Sequence, residues 1–95
     1  MWQVLEHRRV LGILRRLPLE VLKRYEKWKD IVTISGPVGL RAIKGFDDGA
    51  LRGVWMGHRS SRLGDQYRVI YRVDADTVVV KVVRVTPHDY RRKCA

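Results

Sequence analysis

With 95 residues, 45% of them hydrophobic, the chain can fill one compact core but not two, so residues 1–95 are expected to form a single domain. Twenty Lys and Arg stand against ten Asp and Glu, a formal charge of +10 that attracts polyanions. The lone cysteine, Cys94, excludes a disulfide framework and a cysteine metal cluster, and no apolar run reaches the roughly 18 residues of a membrane span. Glu6, His7, Arg8 and Arg9 interrupt the N-terminus too early for a signal peptide, so a reducing cytoplasm is the expected location.

Residues 1–5, with Trp2, Val4 and Leu5, are β-compatible and are read as a first strand. From His7 onward Val10, Leu11, Leu14 and Leu17 recur at helical spacing, with Arg8, Arg9, Arg15 and Arg16 mostly on the other side, which predicts an amphipathic helix. Pro18 suits the first turn of a second helix, whose stripe runs through Val21, Leu22, Tyr25, Trp28, Ile31 and Val32 and ends before Ser35-Gly36-Pro37. A short helical piece then passes Leu40 and Ile43, after which Gly45, Asp47, Asp48, Gly49 and Gly53 mark a loop.

Three strand-like segments follow, at 54–63, 66–73 and 77–86, separated by Gly64-Asp65 and Asp74-Ala75-Asp76. Connections this short predict an antiparallel meander. The run Val78-Val79-Val80-Lys81-Val82-Val83 is apolar at both parities, the pattern of a central strand covered on both faces for much of its length. The resulting order, β-α-α-β-β-β, is an α+β domain with two helices packed on a small, twisted, mainly antiparallel sheet.

The positive charge is not gathered in a tail. Residues 1–30 carry eight basic and four acidic side chains, residues 41–95 twelve and six, so the excess is expected to decorate a folded surface. Strand alternation places Tyr67, Val69, Tyr71 and Val73 on a core face and Arg68, Ile70 and Arg72 on the other. A two-residue hairpin at Gly64-Asp65 sets Ser61 opposite Arg68 and brings Arg59 to the same outer, cationic face. That register turns Arg62 inward; since burying an unpaired guanidinium is costly, a bulge or a longer loop is expected to release it outward.

The last strand runs into Thr86-Pro87-His88-Asp89-Tyr90-Arg91-Arg92, which packs an imidazole, a phenol and two guanidinium groups into five positions. Phosphodiester chemistry needs a group that moves a proton near neutral pH and cations that stabilise charge on phosphate, and this segment together with Arg68 supplies both. Tyr90 suits stacking on a base or covering the core edge. His7 is read as a surface or capping residue, and His58 as a histidine packed on the face of Tyr67 and Tyr71. Charge and aromatic content alone suit a non-catalytic RNA- or ribosome-binding protein equally well.

Leu51-Arg52-Gly53, then Tyr67-Arg68-Val69-Ile70-Tyr71-Arg72-Val73 and the valine-rich strand, resemble the RelE toxins of the RelE/ParE superfamily. Trp55-Met56-Gly57-His58-Arg59 resembles the Trp-x-Gly-Tyr-Arg segment of YafQ-type members. The resemblance implies a RelE-like fold and a type II toxin that enters the ribosomal A site and cuts messenger RNA. Cleavage of this kind uses attack by the 2′-hydroxyl on the adjacent phosphate and needs no metal or cofactor. It further implies Arg68 at the scissile phosphate with Arg62 beside it, His88 as the proton donor, Tyr90 as a substrate-orienting group, and a cognate antitoxin as partner. Arg59, Ser61, Lys44, Arg52, Arg91 and Arg92 are the expected RNA contacts. Two departures stand out: Arg62 replaces the histidine of YafQ-type toxins, and Ser60 and Gln66 replace their flanking aspartates. ParE-like members share the fold but inhibit DNA gyrase and cut no RNA.

Overall fold

In a computed structural model, which describes residues 1–87, the first strand lies beside the last. Strand β1 (Gln3–Glu6) pairs in parallel with β5 (Val79–Pro87), and β5 in turn pairs antiparallel with β4 (Tyr67–Asp74), β4 with β3 (Arg59–Arg62), and β3 with β2 (Gly49–Ala50). The order β1-β5-β4-β3-β2 puts β4 at the centre. Both long edges of β5 are paired, but the valine-rich expectation of cover on both faces does not hold: Val80, Val82 and Val85 are buried, whereas Lys81 and Arg84 are exposed.

Helix α1 (Arg8–Leu14) starts where His7 caps it, Nδ1 accepting from the Arg9 N–H at 3.1 Å. Helix α2 (Leu19–Ser35) starts after Pro18, whose fixed φ and missing N–H cost nothing there, and carries Glu20 in its first turn, where the helix dipole favours negative charge. Its Tyr25, Trp28 and Val32 are buried against the sheet residues Val69, Tyr71, Val80, Val82 and Val85, forming the core. The helix stops at Gly36, with φ 76°, packed so closely on Trp2 that a Cβ would lie 2.5 Å from the indole nitrogen. A short helix α3 (Val38–Arg41) and a 3-10 turn (Lys44–Phe46) lead to β2. Among the described residues no helix is long and apolar enough to cross a membrane.

The α+β reading holds, with three further corrections. The segment 54–63 is a strand only over Arg59–Arg62: Gly53–Trp55 form a 3-10 turn, and Gly53 and Gly57 take φ of 66° and 90°, which no strand residue adopts. β2 adds a fifth strand from Gly49 and Ala50, residues without strand preference, held by main-chain pairing to Ser60 and Arg59. Thr77 and Val78 belong to the turn before β5, where Val78 has φ 58°. A bulge further bends β5: Ile70 faces Arg84 and Tyr71 faces Val82, leaving Val83 unpaired.

Gly36→Ala should destabilise the domain by about 2 kcal/mol or more, from left-handed backbone strain and the clash with Trp2. Urea unfolding measures it, and an unchanged midpoint would contradict the packing described.

Candidate nucleic-acid interface

The site begins with the β3–β4 register. Arg62 stands opposite Arg68, Ser61 opposite Val69, Ser60 opposite Ile70 and Arg59 opposite Tyr71. The connection is not a two-residue hairpin but the four residues 63–66, closed by the Leu63 N–H donating to the Tyr67 carbonyl at 2.8 Å. This register differs by one residue from the Gly64-Asp65 expectation, and a one-residue slip exchanges the two faces of a strand. Arg62 is therefore released to the outer face, its side chain 43% exposed.

For the same reason Arg59 and Ser61 do not join an outer cationic face. Both turn toward the helices, where they meet Asp48, whose side chain is 0% exposed. Arg59 donates to Asp48 Oδ2 through Nε at 3.1 Å and Nη2 at 2.8 Å, while Ser61 Oγ donates to Oδ1 at 2.7 Å and accepts from Trp28 Nε1 at 3.0 Å. The Tyr71 hydroxyl also donates to Asp48 Oδ1, at 2.5 Å. Burial opposes the Arg59 charge, but the Asp48 carboxylate outweighs it and pushes the guanidinium pKa up. Burial, then the same carboxylate, pushes the Tyr71 phenol up; burial, then Glu6, which accepts its proton at 2.6 Å, does so for Tyr25.

Arg68 lies on the outer face, as alternation predicts, yet it is only 1% exposed. Its Nε donates to Ser60 Oγ at 3.1 Å and its Nη2 to the Asp47 carbonyl at 3.0 Å. Asp47 Oδ2 lies 3.5 Å from Arg68 Nη1 and 3.9 Å from Arg62 Nη2, so two guanidinium groups from adjacent strands flank one carboxylate oxygen. Among the described residues neither Arg68 Nη1 nor Arg62 Nε makes a hydrogen bond. Asp47 itself is 60% exposed and holds a left-handed backbone, φ 43° and ψ 49°.

His58 does not pack on Tyr67 and Tyr71; its ring meets the Trp55 ring edge-on at 5.4 Å, and Arg84 covers Trp55 at 5.1 Å. Lys44 and Arg52 are exposed on the connection between α3 and β3. The expected site residues His88, Tyr90, Arg91 and Arg92 lie outside the described residues. Asp47, Asp48 and Ser60 were missed as site residues. No local pattern marks Asp47 or Asp48, because neither lies in a strand and the donors to Asp48 are 11, 13 and 23 residues away. Among the described residues no group of three or more His, Cys, Asp or Glu side chains could hold a metal ion.

No family model and no curated protein matches the chain. Solved structures do: a chain of the archaeal RelE–RelB complex from Pyrococcus horikoshii OT3 is 32% identical over 90% of this chain and 93% of that one, with a TM-score of 0.73. The chain belongs to the RelE/ParE toxin superfamily. The same RelE-like fold recurs in the YoeB/ParE toxin from Agrobacterium tumefaciens, 13% identical, covering 90% and 98% of the two chains with a TM-score of 0.69. It recurs again in YafQ from E. coli strain BL21(DE3), 14% identical, covering 96% and 98% with a TM-score of 0.64.

Tyr25 and Tyr71 have raised pKa values in this RelE-like core, so the folded state keeps two protons that an unfolded tyrosine releases near pH 10. Their contribution is complete below about pH 10 and is lost above it, at about 1.4 kcal/mol per pH unit for each phenol. Urea midpoints between about pH 9 and 11 should fall more steeply for the wild type than for the Tyr25→Phe/Tyr71→Phe variant. Parallel slopes would contradict the burial.

Proposed function

We propose that the protein is the toxin of a type II toxin–antitoxin pair and cuts messenger RNA in the ribosomal A site. In the reaction the RNA 2′-hydroxyl attacks its own 3′-phosphate, the bond to the 5′-oxygen of the next nucleotide breaks, and a cyclic phosphate and a 5′-hydroxyl result. One observation carries the reading: Arg62 and Arg68, directly opposed on β3 and β4, converge on a single anionic oxygen. Planar guanidinium groups in that arrangement suit the oxygens of a phosphate and the extra negative charge of a pentavalent phosphorane.

The two arginines have different roles. Arg68, with two of its donors already committed to Ser60 and Asp47, is preorganised and loses little freedom when a phosphate meets Nη1. Arg62 is partly exposed and receives the incoming backbone. The Asp47 carboxylate, mostly in solvent, swings away as the phosphate takes its place. His88 protonates the leaving 5′-oxygen, Tyr90 orients the substrate, and Lys44, Arg52, Arg91 and Arg92 hold the flanking RNA. Arg59 and Ser61, committed to Asp48, support the site from behind the sheet. By likeness to the Pyrococcus protein, which is in complex with RelB, the partner is an antitoxin; an acidic segment suits the +10 charge.

Primer extension on a translated message tests this. The wild type should cut within ribosome-bound codons, and Arg68→Ala should cut about a hundredfold more slowly or worse. His88→Gln should lose cleavage and keep ribosome binding. Intact message accompanied by DNA damage would move the protein to gyrase inhibition, and ribosome binding without any cleavage would make it a binder.

A further inference from the structure

We infer that Asp48, buried on the helix side of the sheet, is a positioning residue for Arg68 on the opposite side. It acts through the backbone of its neighbour Asp47, whose carbonyl holds the Arg68 guanidinium. The inference rests on the functional reading above for its consequence, though not for its geometry.

β2 contributes only Gly49 and Ala50 to the sheet, so ladder pairing alone holds the preceding residues weakly. What fixes them is the Asp48 side chain. It accepts two hydrogen bonds from Arg59, one from Ser61 and one from Tyr71. Arg59 and Ser61 belong to β3 and Tyr71 to β4, and Ser61 is bonded in turn to Trp28, whose indole stacks on Tyr25 at 5.8 Å in the centre of α2. One carboxylate thus ties the 47–49 backbone to two strands and a helix.

With Asp48 anchored on the helix side of the sheet, the Asp47 carboxylate lies on the other side, 3.5 Å from Arg68 Nη1. The Asp47 N–H donates to the Lys44 carbonyl at 2.9 Å, holding the left-handed conformation, and its own carbonyl accepts from Arg68 Nη2. The Ser60 and Asp47 bonds grip two different nitrogens of one planar group, which fixes the orientation of the third, Nη1. Loosening Asp48 releases the Asp47 carbonyl and leaves Arg68 held at Nε alone. A displacement of about an ångström at a charge-stabilising group can cost a hundredfold in rate while leaving substrate affinity nearly unchanged, because affinity draws on many contacts.

Asp48→Asn is the test, since it preserves size and removes the charge that binds Arg59. The first readout is hydrogen exchange at Arg68 Nε–H by NMR, on a variant whose thermal unfolding remains cooperative. Exchange should accelerate about tenfold or more over wild type, as expected when an opening equilibrium loses roughly one tie. The second is single-turnover RNA cleavage, where the maximal rate should fall about tenfold to a hundredfold with KM within about twofold. In an Arg68→Lys background, Asp48→Asn should cost little more. Unchanged Arg68 exchange overturns the inference whatever the cleavage result; so does an undiminished loss in the Arg68→Lys background. A wild-type protein that cuts no RNA refutes the nuclease reading instead, and the exchange measurement still decides the positioning role. Should Asp48→Asn fail to fold, Tyr71→Phe removes one donor to the carboxylate and must shift Arg68 exchange in the same direction.

Discussion

Almost everything at the site follows from the pairing of β3 with β4, in which Arg62 faces Arg68 across the ladder. A strand has only two faces, so this one choice decides the fate of four side chains at once. Arg62 joins Arg68 on the outside, while Arg59 and Ser61 turn inward under α2. Slipping the register by one residue would turn Arg62 inward and carry Arg59 and Ser61, which donate three of the four hydrogen bonds to Asp48, to the outer face. Leu63 helps to hold the choice: it is buried in the core, and its N–H closes the loop on Tyr67.

Burying Arg68 is tolerable only because its charge is answered locally. A guanidinium carries five N–H donors in a fixed plane, and at this position Ser60, the Asp47 carbonyl and the Asp47 carboxylate lie around that plane. The desolvation that would otherwise drive such a group to the surface is offset by these contacts. The same balance holds on the other face, where Asp48 is the buried charge and Arg59, Ser61 and Tyr71 answer it. The two faces are joined through one peptide bond, between Asp47 and Asp48, so the electrostatics of the outer site are not independent of the core.

The helices were legible because their signals are local: the stripe through Tyr25, Trp28 and Val32, Pro18 at one end and Gly36 at the other. β4 and β5 were legible from alternation and from valine at both parities. The rest depends on partners distant in sequence. β2 has two residues of no strand preference and exists because β3 offers it a free edge. The β3–β4 register was misread because Gly64-Asp65 is a strong two-residue turn signal, and only the burial of Leu63 in the finished core overrides it. Asp48 read as loop because Asp beside Gly normally is one; its donors lie 11, 13 and 23 residues away, beyond any local pattern. For the site, Arg68 was marked by alternation and by likeness to RelE toxins, whereas the carboxylate between it and Arg62 was not.

The net charge of +10 also needs to be divided by position before it is used as a footprint. Arg59 is neutralised by Asp48 inside the protein, and Lys29 lies 3.4 Å from Glu6, the same carboxylate that accepts from Tyr25. Such cations contribute little to the field a polyanion meets, because their countercharge sits within a few ångströms. Lys44, Arg52 and Arg84 remain on or near the outer side of the sheet and its connections, where Arg62 shares the Asp47 carboxylate with Arg68. An electrostatic attraction built this way is weak in number but directed in space. On the proposed function, the face of β3 and β4 that meets the RNA is the one where Arg68, buried among the described residues, is held by Ser60 and the Asp47 carbonyl.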